Sequence, residues 1–532
     1  MIKARRLTFL VALFLAAPLM YGQQTMGLFS NSSNAYDGYT LHGAIGSTET
    51  YLIDNCGRVV NSWSSDYTAG ASGYLMENGD LVRAGRVVSE IFDVPTTGGR
   101  IERFSWEGEL LWGMNFANDT IHQHHDFAVM PGGNILVLAW AMRSAEQAAA
   151  AGDVDGEMLW PETILEIEPS GTDGGSVVWS WTAWEHLVQN VDNALPNFGE
   201  PANFPERFDV NFSNPAGQTL NGDFQHFNAI CYNAELDQIM LSSRRWSEIY
   251  IIDHSTTMEE SAGSTGGAAG RGGDLLYRWG NPATYDRGTP ADKVLFGQHH
   301  PHWISSSLPI SGSNPTASVL IFNNGTNRPE GDFSSVDELT LPLLEDGTYA
   351  IEEGGTYGPE ALDWRYPENF IGTFFGQHIS GAQRLPGGTT LICLGPEGRL
   401  FEVTDEGEIV WEYITAHGSG GPLVQGANPT GNSTFRAIRY AADYAGLSCL
   451  DLTPGEPVEL DPWPSDCEIF PGPISNCPED ISGDGLITVV DVLTLLSAFG
   501  TASSCPEDIN GDGLVTVSDV LTLLAAFGLT CE

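Results

Sequence analysis

Lysine is almost missing from this 532-residue chain, with only Lys3 and Lys293 present. Arginine adds little, so 22 basic residues face 69 acidic ones and the formal net charge is -47. Such a field repels nucleic acid, whose binding rests on neutralising phosphates. Any anionic ligand therefore requires a local cluster of arginine and histidine built against the global charge. Long apolar runs are scarce as well. Leu7 through Leu19 is apolar behind Lys3, Arg5 and Arg6, and ends near Tyr21 and Gly22. That run is short for a membrane span and reads as an export signal over residues 1–22, which leaves no membrane span in the mature chain. The protein is expected outside the cytoplasm: periplasmic, cell-surface or secreted.

Cysteine is sparse in the body and concentrated at the end. Cys56, Cys231, Cys393 and Cys449 are scattered, whereas Cys467, Cys477, Cys505 and Cys531 crowd the tail. In an exported chain the tail set is expected to form disulfides, in any of three pairings. Cys231 and Cys393 lie in apolar strand-like runs and read as inert buried thiols.

Long helical periodicity is also lacking, and two short themes repeat in its place. The first is a turn, a few apolar residues and a tryptophan: CGRVVNSW from Cys56, WEGELLW from Trp106, GGSVVWSW from Gly174, GGDLLYRW from Gly272 and DEGEIVW from Asp405. The second is a strand, a polar turn and an apolar strand, as in HHDFAVMPGGNILVLA from His124 and ISGAQRLPGGTTLICLG from Ile379. Two hairpins per unit make a four-stranded blade, so an all-β, six-bladed β-propeller is expected over residues 23–449. Long departures near 143–223 and 261–273 read as loops on a blade edge, placed to roof a site. A Pro-rich linker over 450–476 and a small α-helical calcium-loop module over 477–532 are expected to follow.

That module rests on two near copies, CPEDISGDGLITVVDVLTLLSAFG and CPEDINGDGLVTVSDVLTLLAAFG. Oxygen donors fall at loop positions one, three, five, nine and twelve: Asp480, Ser482, Asp484, Thr488 and Asp491, then Asp508, Asn510, Asp512, Thr516 and Asp519. Gly485 and Gly513 mark the sharp turn, and the carbonyls of Leu486 and Leu514 complete the set. Hard oxygen donors at this spacing select Ca2+. Pro473, Cys477 and Pro478 leave no room for an entering helix, while each loop is followed by a helix pattern. The pair resembles type I dockerin repeats from Cys477 to Cys531. The resemblance implies a calcium-bound module that docks a cohesin-like protein or serves as a structural cap.

Twelve histidines are present, and four follow glutamine: His124, His226, His299 and His378. Each Gln-His opens a second-theme hairpin, whose first strand in a propeller lines the central channel. Aligning the PGG turns puts His125 level with Ser380, with Asn228 near the same height, and leaves His124 and His125 unranked. His226 and His378 stand one pleat away. Arg244 ends the strand LSSR and supplies a fixed positive charge. A single channel histidine is more often a hydrogen-bonded core residue than a catalyst. Four in one phase beside an arginine point to an anion-handling site. His42, His186, His254 and His417 have no such company and read as structural.

The motifs QHHDF, QHFNAICYNAELDQIMLSSR, DHSTT, LLYRWGNP, QHHPHW, IFNNG and ISGAQRLPGGTTLICLG resemble, in order, the blade motifs of the bacterial arylsulfate sulfotransferase family between Gly38 and Tyr413. The resemblance implies that His299 is a nucleophile that becomes transiently sulfurylated. It matches His226 and Asn228 to the family's His-x-Asn pair, Arg244 to its active-site arginine, and His124 or His125 to a further active-site histidine. Ser380 and His378 stand as substrate-binding positions, with Ser380 where relatives carry threonine. The implied reaction is ping-pong transfer of a sulfuryl group from an aryl sulfate donor to a phenolic acceptor, with no nucleotide sulfate and no cofactor. No phosphate-cradling loop occurs in the sequence, in keeping with that donor. Two other readings compete. His122 with His124, and His300 with His302, have the i, i+2 spacing of a metal site, which suits a metal-dependent hydrolase or lyase. A non-catalytic propeller binding polysaccharide or protein is the other.

Overall fold

The computed structural model describes residues 23–92, 94, 98–212, 222–304, 317–367, 374–448, 450–470, 479–482, 486–500, 507–510 and 514–529. The expected signal segment, Asp484, Gly485, Asp512, Gly513, Cys449, Cys477, Cys505 and Cys531 lie outside them.

Six antiparallel sheets stand around a channel. The innermost strands are Ala69–Leu75, Ile121–Val129, Phe227–Asn233, His299–Trp303, Gly381–Arg384 and Thr434–Ala441. Each contacts the next, and the last contacts the first, so the ring is closed. Counting blades from the N-terminus, Thr434–Ala441 is the inner strand of blade 1, paired with Gly38–Ala44. At the other end of the chain, Gly27–Asn31 adds a fifth, outer strand to blade 6 against Ile409–Ile414. The two closures place both ends of the propeller chain at one seam.

Both faces of each sheet are covered by neighbouring blades, so the strand second from the channel can read as a continuous apolar run rather than an alternating one. Ile135–Ala141, ILVLAWA, is buried at every position. The turn before it uses Gly132 and Gly133 at φ 97° and 94°, and a side chain on either would meet nothing within 4 Å. The backbone conformation alone therefore demands glycine there.

The recurring tryptophan has a structural cause. Each outer-strand indole N–H donates to a backbone carbonyl in the connection between the third and fourth strands of the next blade. Trp63 donates to Ser105 at 2.8 Å, Trp112 to Gly174 at 2.8 Å and Trp181 to Gly273 at 2.8 Å. Trp279 donates to Pro359 at 3.0 Å, Trp364 to Asp405 at 3.1 Å, and Trp411 to Asn55 at 2.8 Å, completing the circle. Each such bond contributes about 1 kcal/mol net, beyond the burial of the ring. The five sequence copies supply five staples. Blade 5 supplies the sixth through ALDW, which lacks the glycine and apolar run of the others.

The expectation that Cys467 pairs within the tail is corrected. Cys467 is bonded to Cys56 in blade 1. The cause lies in the Pro-rich segment, which runs along the propeller: Pro457 bridges to Arg58, Leu460 to Val424, and Val458 is buried. Cys231 and Cys393 are free thiols, and burial pushes each up to about 12, which leaves them unreactive.

Beyond this segment stand two short helices, Val489–Ser497 and Val517–Ala526. They pack through Ile487, Leu495, Val515 and Leu523. Each is opened by a capping box, Thr488 with Asp491 and Thr516 with Asp519. No helix among the described residues is long and apolar enough to cross a membrane.

Candidate active site

The upstream ends of the inner strands form the site. The backbone is irregular there: Ala71, His125, His226, His300 and Ser380 all have φ between 51° and 107°. In the inner strands of blades 2 to 5 the pairing register also shifts at this level. Bulges at a channel rim re-aim side chains, and here the re-aimed residues include three histidines.

Gln123 and Gln298 are braces, whereas the Gln225 side chain makes no hydrogen bond among the described residues. Gln123 accepts from the Gly99 N–H of blade 2 at 2.7 Å, and Gln298 donates to the Ser243 carbonyl of blade 4 at 3.0 Å. Each of these two thus ties its strand to the preceding blade and fixes where the adjacent histidine starts. Asn228 acts the same way in the other direction, donating to the Gln298 carbonyl at 2.7 Å.

His125 and His226 meet with ring centroids 4.6 Å apart. Phe435 of blade 1 lies against His125 at 6.1 Å and His299 at 6.4 Å. Asp223 holds the Nδ1 of His226 at 2.5 Å and sits 3.5 Å from Arg245. Arg244, half-buried, has no side-chain hydrogen bond or ion pair among the described residues, yet its charge bears on His125, His299 and His378. Burial holds His299 well below the ordinary histidine value and the Arg244 guanidinium adds to the effect, while the Asn324 bond opposes both. Burial likewise holds His125 well below that value, with His226, His124, His299 and Arg244 contributing. Both imidazoles are therefore neutral at neutral pH.

Asn324 fixes the tautomer of His299. Its amide nitrogen donates to the carbonyls of Gly376 at 2.7 Å and Ile379 at 2.9 Å, so its oxygen faces His299 Nδ1 at 2.7 Å as acceptor. His299 Nδ1 must then carry the proton, and Nε2 keeps its lone pair. Nε2 makes no hydrogen bond among the described residues.

The structure separates the two histidines that the sequence left unranked. His125 shares its surroundings with His226, His299 and Arg244. His124 turns outward, stacking on Trp140 at 3.8 Å and bonding Glu162 at 3.0 Å. His125, His226, His299, Arg244 and half-buried His378 form one electrostatic cluster. Ser380 sits in the ring, but its hydroxyl donates to the His378 carbonyl at 3.3 Å and accepts from the Gly395 N–H at 3.0 Å. His122 lies against Phe92, and His300 stacks on His302 at 4.4 Å. No group of three or more His, Cys, Asp or Glu side chains among the described residues is arranged to hold a metal.

Glu162, Asp223, Asn324 and Phe435 belong to this site and were not read from the sequence. Only Asn324 had a signal, as the second asparagine of IFNNG.

Among solved structures, the chain is similar to a protein of unknown function from Bacteroides caccae, at 12% identity and TM-score 0.41, covering 76% of this chain and 99% of that one. It is also similar to a putative 6-phosphogluconolactonase from Bacteroides fragilis, at 10% identity and TM-score 0.34, covering 77% and 99%. A periplasmic gluconolactonase from Pseudomonas aeruginosa is similar at 9% identity and TM-score 0.33, covering 76% and 97%. A comparison with curated proteins finds no significant match. Residues 29–340, which carry His125, His226, Arg244, His299 and Asn324, match the arylsulfotransferase (ASST) model, and the chain belongs to the arylsulfotransferase family.

Proposed function

We propose that the protein moves a sulfuryl group from an aryl sulfate to a phenol through a covalent adduct on His299. The observation that carries this reading is Arg244: a half-buried guanidinium without a partner among the described residues, beside three imidazoles, in a chain of net charge -47. A guanidinium that makes no ion pair among those residues, offset only by the Asp223 charge at longer range, is suited to an anion.

In the first half-reaction His299 Nε2 attacks sulfur, the N–S bond forms, and the S–O bond to the aryl group breaks with its electron pair leaving on the phenolate. Arg244 and the Nε2 edge of His226 would bond the sulfuryl oxygens, while Asn228 braces the strand that carries His299. In the second half-reaction a phenol oxygen attacks the same sulfur, and His299 leaves as neutral imidazole. Incubation with a nitrophenyl sulfate should raise the intact mass by one sulfuryl group, located on His299. His299→Asn should fold and show neither adduct nor turnover. Full transfer by that variant overturns the reading.

The reading extends to the tail. Asp491 accepts from the backbone N–H of Ser482 at 2.8 Å and of Thr488 at 2.7 Å, and Asp519 accepts from those of Asn510 at 3.1 Å and Thr516 at 2.8 Å. These bonds draw the loop ends together, and the donor set contains only oxygen, which fits Ca2+. Asp480, Ser482, Thr488, Asp491, Asp508, Asn510, Thr516 and Asp519, with the Leu486 and Leu514 carbonyls, would hold it. Bound Ca2+ would supply loop closure. A dockerin-like role facing a cohesin-like partner, and export of the chain, complete the proposal. The bonded pair Cys56 and Cys467 supports an oxidising compartment.

A further inference from the structure

A buried chain of three ionisable groups runs from the channel into blade 3. His125 and His124 face each other Nδ1 to Nδ1 at 2.9 Å, and His124 Nε2 meets Glu162 Oε2 at 3.0 Å. All three side chains are essentially inaccessible to solvent. The other oxygen of Glu162 accepts from the Phe227 N–H at 2.7 Å, which anchors the carboxyl group. Neighbouring residues of a regular strand point to opposite faces, so the contact between His124 and His125 depends on the bulge at His125, with φ 51°.

With both imidazoles neutral, the two contacts admit two proton arrangements that differ by one proton. In the first, Glu162 is a carboxylic acid donating to His124 Nε2, His124 Nδ1–H donates to His125 Nδ1, and His125 Nε2 carries a proton. In the second, Glu162 is a carboxylate, His124 Nε2–H donates to it, His125 Nδ1–H donates to His124 Nδ1, and His125 Nε2 carries no proton. The first arrangement presents an acid to the channel and the second a base.

We infer that Glu162, His124 and His125 form a proton relay that switches His125 between these forms once per half-reaction. The inference rests on the sulfuryl-transfer reading. As the S–O bond breaks, His125 Nε2–H protonates the departing phenolate, His124 passes its Nδ1 proton to His125 Nδ1, and Glu162 passes its proton to His124 Nε2. The donor leaves as a neutral phenol, and Glu162 is left as carboxylate. The acceptor phenol reverses the sequence: its proton enters at His125 Nε2 and one returns to Glu162, so the cycle closes without exchange with bulk water. Burial holds the Glu162 carboxyl well above the usual range, and the nearby Asp223 charge adds to it against the Phe227 N–H and His226, which suits a resting acid. Glu162 and His124 touch no substrate in this scheme, and act through His125.

The test uses Glu162→Gln, which keeps the shape and the bond to Phe227 N–H but cannot exchange a proton. Turnover should fall by a factor that grows with the pKa of the phenol, from little for acidic nitrophenols to on the order of 100-fold for weakly acidic ones. His124→Gln should show the same dependence if Glu162→Gln folds poorly. Infrared spectra give a readout separate from turnover: a carboxylic acid carbonyl band that shifts in heavy water, is absent from Glu162→Gln, and is lost when a weakly acidic aryl sulfate loads His299. Equal loss for all phenols, or a band unaltered by Glu162→Gln, overturns the relay. Failure of the wild type to form any sulfurylated histidine overturns the transfer reading instead, while the band in the resting protein still reports on Glu162.

Discussion

Replacing Arg244 with methionine should separate activity from stability in opposite directions. The guanidinium would make charge-assisted bonds to the sulfuryl oxygens, each worth about 1.5 to 3 kcal/mol, and the side chain has room for two. A loss of about 3 to 4 kcal/mol in transition-state stabilisation corresponds to roughly 100- to 1000-fold in kcat/KM. Stability should behave otherwise. Truncating one member of a buried ion pair costs about 3 to 5 kcal/mol, because a charge is left behind. Arg244 has no such pair among the described residues, and its apolar stem is replaced by a chain of similar reach. The melting temperature of Arg244→Met should therefore stay level or rise. Its charge also helps depress His125, His299 and His378, so the acidic limb of the pH-rate profile should move to higher pH in the variant. Steady-state kinetics across pH, together with calorimetry, tests all three. A variant that melts several degrees lower with near-normal kcat/KM would show Arg244 to be a structural brace and refute the reasoning.

Asn324→Asp should place a carboxylate on the Nδ1 side of His299, raise its pKa, and shift sulfohistidine formation toward alkaline pH, as rapid-quench mass spectrometry would show. A second group tests electrostatics away from the site. His254 bridges Asp237 of blade 4 at 2.6 Å and Glu166 of blade 3 at 3.1 Å; burial lowers its pKa, but these bonds outweigh burial and raise it. A histidine whose folded pKa is raised contributes stability that is whole below about 6.5 and is lost as pH climbs through the folded value. Denaturation midpoints should therefore fall through that window, and His254→Gln should flatten the slope. Chelating Ca2+ should melt the two tail helices, seen by circular dichroism and hydrogen exchange at 489–497 and 517–526, while aryl sulfate turnover persists.

The propeller was legible because its repeats have a local physical cause. Tryptophan recurs wherever an indole reaches the next blade, and the paired apolar strands recur wherever two sheets cover both faces. Blade 5 hid its staple because ALD, the residues before Trp364, lack the glycine turn and apolar run of the other copies. The histidines were legible as a ring, since glutamine and histidine recur in one phase of the inner strand. Their ranking was not. Whether His124 or His125 faces the channel depends on one left-handed residue inside a strand, which alternation rules do not anticipate. Asp223 lies only three residues before His226, whereas Glu162 and Asn324 reach His124 and His299 through strand pairing within blades 3 and 5, a register that the sequence does not display. The Cys467 partner was misjudged for a related reason: proximity along the tail was weighed, whereas the segment from 450 onward doubles back on the seam.

That seam governs the order in which the molecule can be made. Blade 1 lacks its axial strand until Thr434–Ala441 has been synthesised, and the first strand of the chain waits for Ile409–Ile414. A nascent chain is therefore an open arc through most of translation, unable to lock. Under the export proposed above, late closure would keep the polypeptide loose while it is threaded through a translocation pore.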